Sequence, residues 1–166
     1  RWVAKDFRKA WVETIFAATP NIESVRLLLA DAANNCAVSG NLKGNTCVMI
    51  IDIKRAYFYA PAQKDIYIKL PQEDPRAGEE GICGKLSKTL YGTRDAVANW
   101  HLAYSSFLRR LGMVQGAATP CHFRDVQRGI KGIVHGDDFL FTGTAAQLDW
   151  LRQKFEKEYE TKIEVM

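Results

Sequence analysis

The run Ile133-Val134-His135-Gly136-Asp137-Asp138-Phe139-Leu140-Phe141 sets two adjacent carboxylates between two short apolar segments. Apolar runs flanking a Gly-Asp pair read as strand, tight turn, strand. Two acids at a hairpin tip repel each other unless a proton or a cation offsets the charge. Magnesium-dependent phosphoryl and nucleotidyl transfer needs carboxylates held rigidly at such a place. An exposed acidic turn without chemistry satisfies the same residues, so the rest of the chain has to decide.

The chain has 166 residues, 47% of them hydrophobic, enough to bury the core of one globular domain. We expect a single domain over residues 1–166 with no repeat, low-complexity tract or internal linker. The first residue is Arg1 rather than Met, which points to a fragment of something longer. No apolar run approaches the roughly 20 residues of a membrane span, and nothing resembles a signal peptide. The net charge of +4 permits a polyanionic partner without requiring one. Arg1, Lys5, Arg8 and Lys9 face only Asp6, so the N-terminal stretch is either a phosphate-facing edge or a solvated face. Cys36, Cys47, Cys83 and Cys121 are scattered and form no CxxC motif, which argues against zinc and for a reducing, intracellular compartment.

Helices and strands are mixed along the chain. Asn21 can cap a helix running to about Ala37, with Ile22, Val25, Leu28, Leu29 and Ala32 on one face. A polar loop from Ser39 to Asn45 ends it. Thr46 to Ile51 is nearly continuously apolar, the pattern of a strand buried on both faces, and it delivers Asp52 at its end. Ile66 to Leu70 reads as a strand closed by Pro71, and Gln72 to Gly81 as an exposed loop. Trp100, Tyr104, Phe107, Leu108 and Leu111 recur at helical spacing within Asp95–Leu111, which Gly112 stops. A strand near His122-Phe123 and a turn at Gln127-Arg128-Gly129 lead into the acidic hairpin. The last helix, about Ala145 to Tyr159, starts with a Thr144-to-Gln147 capping pattern and turns Leu148, Leu151, Phe155 and Tyr159 inward.

Asp52 at one strand end and Asp137-Asp138 at a hairpin tip make a constellation. If their strands are antiparallel neighbours, three carboxylates converge on one sheet edge. Such a cluster can hold two magnesium ions about 3.5–4 Å apart, one at an attacking hydroxyl and one at leaving phosphates. Tyr57 follows Asp52 by five positions, beyond the small Ala56. An aromatic plate there can pack under a nucleotide sugar and exclude a 2′-hydroxyl, or simply fill the core.

The segment Asp52 to Tyr57, then Pro71, Cys83-Gly84-Lys85-Leu86-Ser87-Lys88-Thr89-Leu90-Tyr91-Gly92, Trp100 and His135-Gly136-Asp137-Asp138 together resemble the Ty1/copia-type retrotransposon reverse transcriptase. Arg1 to Arg8 and Ser24 to Ala30 are similar to that family's opening segment, so the resemblance covers nearly the whole chain. It implies an α+β fold of the polymerase palm-and-fingers type, an antiparallel sheet backed by helices, acting as an RNA-directed DNA polymerase. It further implies Asp52 and Asp137 as catalytic aspartates, Asp138 as their less directly ligating neighbour, and the Ile53 carbonyl as a backbone metal ligand. Tyr57 corresponds to the steric gate for deoxynucleotides. Tyr91 and Gly92 pack against template and nucleotide, and Arg1 and Lys5 grip the triphosphate, as Lys157 or Lys162 could from the last segment. The implied cofactors are two Mg²⁺ ions, with Mn²⁺ as a substitute. The implied partners are an RNA or DNA template with primer, deoxynucleoside triphosphates, and the thumb and RNase H parts of a polyprotein, in a cytoplasmic particle or the nucleus.

The chain also departs from that pattern. His135 and Gly136 stand where the family carries Tyr and an apolar residue, which touches the primer contact and leaves the carboxylates intact. Asp95-Ala96-Val97 replaces Gln-Ala-Pro, and a carboxylate near template phosphates would be mildly repulsive. Two other readings stay open: a catalytically decayed remnant that only binds nucleic acid, and a diguanylate-cyclase-like palm enzyme. The long interval between Asp52 and Asp137 counts against the cyclase.

Overall fold

The computed structural model describes residues 17–37 and 46–166. In chain order the elements are α1 (Ile22–Ala37), β1 (Thr46–Ile53), a 3₁₀ turn (Ala56–Tyr59), β2 (Tyr67–Ile68), β3 (Gly84–Lys85), α2 (Ala96–Arg110), β4 (Val114–Gln115), β5 (His122–Asp125), β6 (Ile130–His135), β7 (Asp138–Thr144), α3 (Ala145–Glu158) and β8 (Thr161–Val165). The fold is α+β. The chain forms two compact units, one built from Ala18–Arg55 and Tyr104–Met166, the other containing Ala56–Ala103.

The first unit is organised by a six-stranded sheet in the order β4-β5-β6-β7-β1-β8, antiparallel at every pairing. On β1 the residues Met49, Ile51 and Ile53 are fully buried, whereas Val48, Ile50 and Asp52 are only half-buried. Strict alternation replaces the expected burial on both faces, because the two faces are covered differently. Phe139 and Phe141 of β7 lie on the well-covered face, in edge-to-face contact with Phe155 of α3 at centroid separations of 5.2 and 5.7 Å. Tyr104 meets Phe139 at 5.4 Å and Phe107 meets Phe155 at 5.1 Å, so α2 closes the same cluster. Aromatic pairs in this geometry add about 0.5–1.5 kcal/mol each beyond area burial. Gly132 is opposite Phe141 on β6, and a Cβ there would collide with the Phe141 ring.

On the other face α1 is the cover. Asn21 caps it through its side-chain oxygen, which accepts from the Ser24 N–H at 2.8 Å. Leu28 and Ala32 are buried as expected, but Ile22 and Leu29 of the expected face are exposed. The buried stripe of α1 is thus narrower than its apolar pattern. The Asp31–Lys131 ion pair, at 2.5 Å, fastens the helix to β6. At the start of α3 the Thr144 N–H and hydroxyl both donate to Gln147 Oε1. Leu148, Leu151, Phe155 and Tyr159 are buried, as their spacing requires.

In the second unit β2 and β3 form a two-residue antiparallel ladder, with Tyr67 opposite Lys85. This is shorter than the strand expected over Ile66–Leu70. The Thr89 N–H donates to the Ala60 carbonyl at 2.9 Å, and Ala60, Thr89, Thr93, Asn99 and Trp100 are buried. The thiols of Cys83 and Cys121 are free. No helix among the described residues is long and apolar enough to cross a membrane.

Candidate active site

β1 and β7 are neighbours, and their register places Asp52 opposite Asp138. The Ile53 N–H donates to the Asp137 carbonyl at 3.2 Å. Antiparallel ladders alternate, so the Asp52–Asp138 position one step back is a non-hydrogen-bonded pair, the kind in which side chains approach most closely. Asp138 is also the partner of His135 on β6, and Asp52 the partner of Lys162 on β8. Cross-strand partners share a face. His135, Asp138, Asp52 and Lys162 therefore form one row of ionisable residues across four strands.

Gly136 and Asp137 make the two-residue turn between β6 and β7. Gly136 has φ +66°, and Asp137 is not among the residues of positive φ. A positive φ confined to the first central residue is the hairpin turn that favours glycine there. The substitution that departs from the family pattern thus suits the backbone that presents the acids. Because Ile53 donates toward Asp137, its own carbonyl points to the same β7 side, near the turn.

The electrostatics carry the mark of crowded acids. Partial burial pushes the Asp138 carboxyl above its usual range, the charges of Asp137 and Asp52 push it further, and His135 offsets part of the shift. All three acids interact, yet no three His, Cys, Asp or Glu side chains among the described residues already stand as a metal-chelating cluster. Asp52 and Asp138 sit on paired strands, whereas Asp137 belongs to the turn and lies outside their row. The donor set nonetheless suits a hard divalent cation: carboxylate oxygens, a backbone carbonyl and a local excess of negative charge.

In the other unit, Tyr57 sits in the 3₁₀ turn and meets Tyr91 edge-on, with ring centroids 4.7 Å apart. Phe58 touches the same ring at 5.7 Å. The Thr89 hydroxyl donates to the Tyr57 carbonyl, fixing the turn against the Tyr91 segment. Gly92, next to Tyr91, has φ +90°, a conformation that suits glycine. Two of the expected nucleotide-binding aromatics are thus in contact. Asp95, whose carboxylate was expected to be mildly repulsive near template phosphates, is buried just before α2, and Asn99 Nδ2 donates to its Oδ2 at 3.1 Å. Trp100 is likewise buried as helix packing. Arg1 and Lys5 lie outside the described residues. Lys157 is exposed in the last turn of α3.

Two features escaped the sequence reading. β8 brings Lys162 opposite Asp52, where Glu164 pairs with it at 2.8 Å. The Lys162 ammonium is held above its usual range by the Glu164 hydrogen bond and charge, and to a lesser degree by Asp52. Glu160, just before β8, pairs with both Lys54 and Arg55 at 3.1 and 2.6 Å. A strand as short and mixed as Thr161–Val165 gives little period to read, although its alternation of Thr, Ile and Val with Lys and Glu was the available signal.

Asp52 and Asp138 thus pair across β1 and β7, and Asp137 sits in the turn that joins β6 to β7. The profile of the reverse transcriptase (RNA-dependent DNA polymerase) family matches residues 1–164, and the chain belongs to that family. It is similar to the Gag-Pol polyproteins of the transposons Ty1-DR4, TyH3 and Ty1-BL of Saccharomyces cerevisiae, each 31% identical over 123 residues. The match covers 74% of this chain and 7% of each polyprotein.

Proposed function

We propose that residues 1–166 are the fingers and palm of an RNA-directed DNA polymerase, extending a primer 3′-hydroxyl with deoxynucleoside triphosphates on an RNA or DNA template. The observation that carries this reading is the register that sets Asp52 of β1 opposite Asp138 of β7, beside the Gly136-Asp137 turn. Asp52, Asp137 and the Ile53 carbonyl would hold two Mg²⁺ ions, or Mn²⁺ in their place, with Asp138 beside them. Bound there, the ions would lower the cost of deprotonating the 3′-hydroxyl and of separating charge at the phosphates.

The remaining roles fall to the chain itself. The edge-on contact with Tyr91 supports Tyr57 as the plate beneath the nucleotide sugar, where its ring would crowd a 2′-hydroxyl. Gly92 lets the backbone approach template and nucleotide closely. His135 and Gly136 would meet the primer end, with His135 supplying a ring nitrogen. Arg1, Lys5 and Lys162 would face the triphosphate. A thumb and RNase H domain would be partners within the polyprotein.

Primer extension on an RNA template with Mg²⁺ or Mn²⁺ tests the reading. Extension by the chain and its loss in Asp137→Asn support it. Salt-sensitive RNA binding without extension would instead identify a segment that retains only nucleic-acid affinity.

A further inference from the structure

Glu160 spends its carboxylate on two consecutive cations that follow Asp52. Its Oε1 lies 3.1 Å from Lys54 Nζ and its Oε2 2.6 Å from Arg55 Nη2. Its backbone carbonyl also accepts from the Lys54 N–H at 2.9 Å. That bond extends the β1–β8 register by one step, so Lys54 shares a face with Asp52, two residues along the strand. Arg55 has φ +57° and is the one non-glycine residue of positive φ among the described residues. Strained backbone of this kind persists where surrounding contacts over-determine it, often at ligand sites.

All three side chains are open to solvent, at 53, 68 and 46% exposure for Lys54, Arg55 and Glu160. Exposed ion pairs contribute little net stability, so two well-formed contacts here are a poor explanation for holding a bent backbone in place. They are instead easily exchanged. A polyphosphate carries several charges and many acceptor oxygens and competes well with a single carboxylate for an Arg fork and a Lys ammonium. Lys54 follows the last residue of β1, two positions beyond Asp52, about 7 Å where the backbone stays extended, a span that several linked phosphates can bridge.

We propose that Lys54 and Arg55 form a polyphosphate-binding pair for which Glu160 is the exchangeable placeholder. An incoming polyphosphate displaces the Glu160 carboxylate, and its departure lets the ion pairs close again. Taking the polyphosphate to be that of a nucleotide rests on the polymerase reading. The exchange itself does not.

Calorimetric titration of the chain with sodium tripolyphosphate in EDTA tests the exchange without primer, template or divalent ion. Glu160→Gln should bind tripolyphosphate about three- to fivefold more tightly than the unmodified chain, because the competitor is gone. The double variant Lys54→Met with Arg55→Met should bind at least about tenfold more weakly. A parallel titration with a thymidine oligonucleotide separates the two sources of phosphate. Equal tripolyphosphate affinity in all three proteins overturns the proposal, as does a gain in Glu160→Gln confined to the oligonucleotide. Circular dichroism checks that each variant is folded, and the double variant carries the test if Glu160→Gln is not. Loss of primer extension with the tripolyphosphate result intact would count against the polymerase reading alone.

Discussion

Asp52 and Asp138 face each other across β1 and β7 at a non-hydrogen-bonded position, two like charges where the ladder brings side chains closest. Like charges directly opposite cost up to about 1 kcal/mol. Asp138 is held above its usual range by partial burial and then by Asp137 and Asp52. A carboxyl raised in the folded state stabilises the fold only below its ordinary titration range, and that contribution is lost as pH rises through the raised value. Asp138→Asn is therefore expected to unfold at a higher temperature than the unmodified chain in EDTA at pH 7. The gap should close as pH falls below the ordinary carboxylate range. Thermal melts across pH check both parts.

The turn that presents Asp137 depends on Gly136. At φ +66°, a β-branched side chain would add strain of about 1–3 kcal/mol. Gly136→Val should lower the urea midpoint by a corresponding amount with an unchanged slope. It should also weaken divalent-ion binding, since the same strain shifts the turn residue next to it.

Gly132 is a packing position. A methyl group there would meet the fully buried Phe141 ring, which has no room to retreat among Phe139 and Phe155. Overpacking of this kind typically costs about 1–3 kcal/mol. Gly132→Ala should show that loss in urea unfolding, while Gly129→Ala, in open space but at φ +68°, should lose stability through backbone strain alone.

An acid outside that group, Asp125, sets an acid limb of the stability curve. Asp125 is buried. Burial raises its carboxyl, but the Arg128 backbone and side-chain hydrogen bonds outweigh that and leave it below the usual range. Arg128 in turn lies 4.0 Å over the Trp150 ring. A depressed carboxyl contributes stability above its ordinary range and loses it as pH falls through the depressed value. Asp125→Asn should cost about 1.5–3 kcal/mol at pH 7. Its stability should converge with that of the unmodified chain in strong acid, as followed by urea titrations at several pH values.

Much of the larger unit was legible because its signals are local and redundant. Asn21 caps α1, Thr144 and Gln147 open α3, and the apolar runs around Gly136-Asp137 name both hairpin strands. What the sequence withheld depends on partners distant in the chain. Burial of β1 on one face only follows from what α1 covers, and the exposure of Ile22 and Leu29 from what it does not. β8 acquires its meaning from pairing with β1, which turns Lys162 into a neighbour of Asp52 and Glu160 into a partner of Lys54 and Arg55. At the site itself the acids were legible as residue types. The row they occupy, with Asp137 outside it, required the register. Asp95 shows the same limit: its neighbour four positions on, Asn99, makes it a buried, bonded group rather than a surface charge.

Asp52, Asp137 and the Ile53 carbonyl, with Asp138 beside them, are proposed to hold divalent cations. Titration with Mn²⁺ followed by electron paramagnetic resonance measures this directly, in the unmodified chain and in Asp52→Asn, with and without a deoxynucleoside triphosphate. The expected result is Mn²⁺ binding that strengthens with the triphosphate, approaches two ions per chain and falls at least about tenfold in Asp52→Asn. Mn²⁺ affinity and stoichiometry that are the same in both proteins would contradict the account.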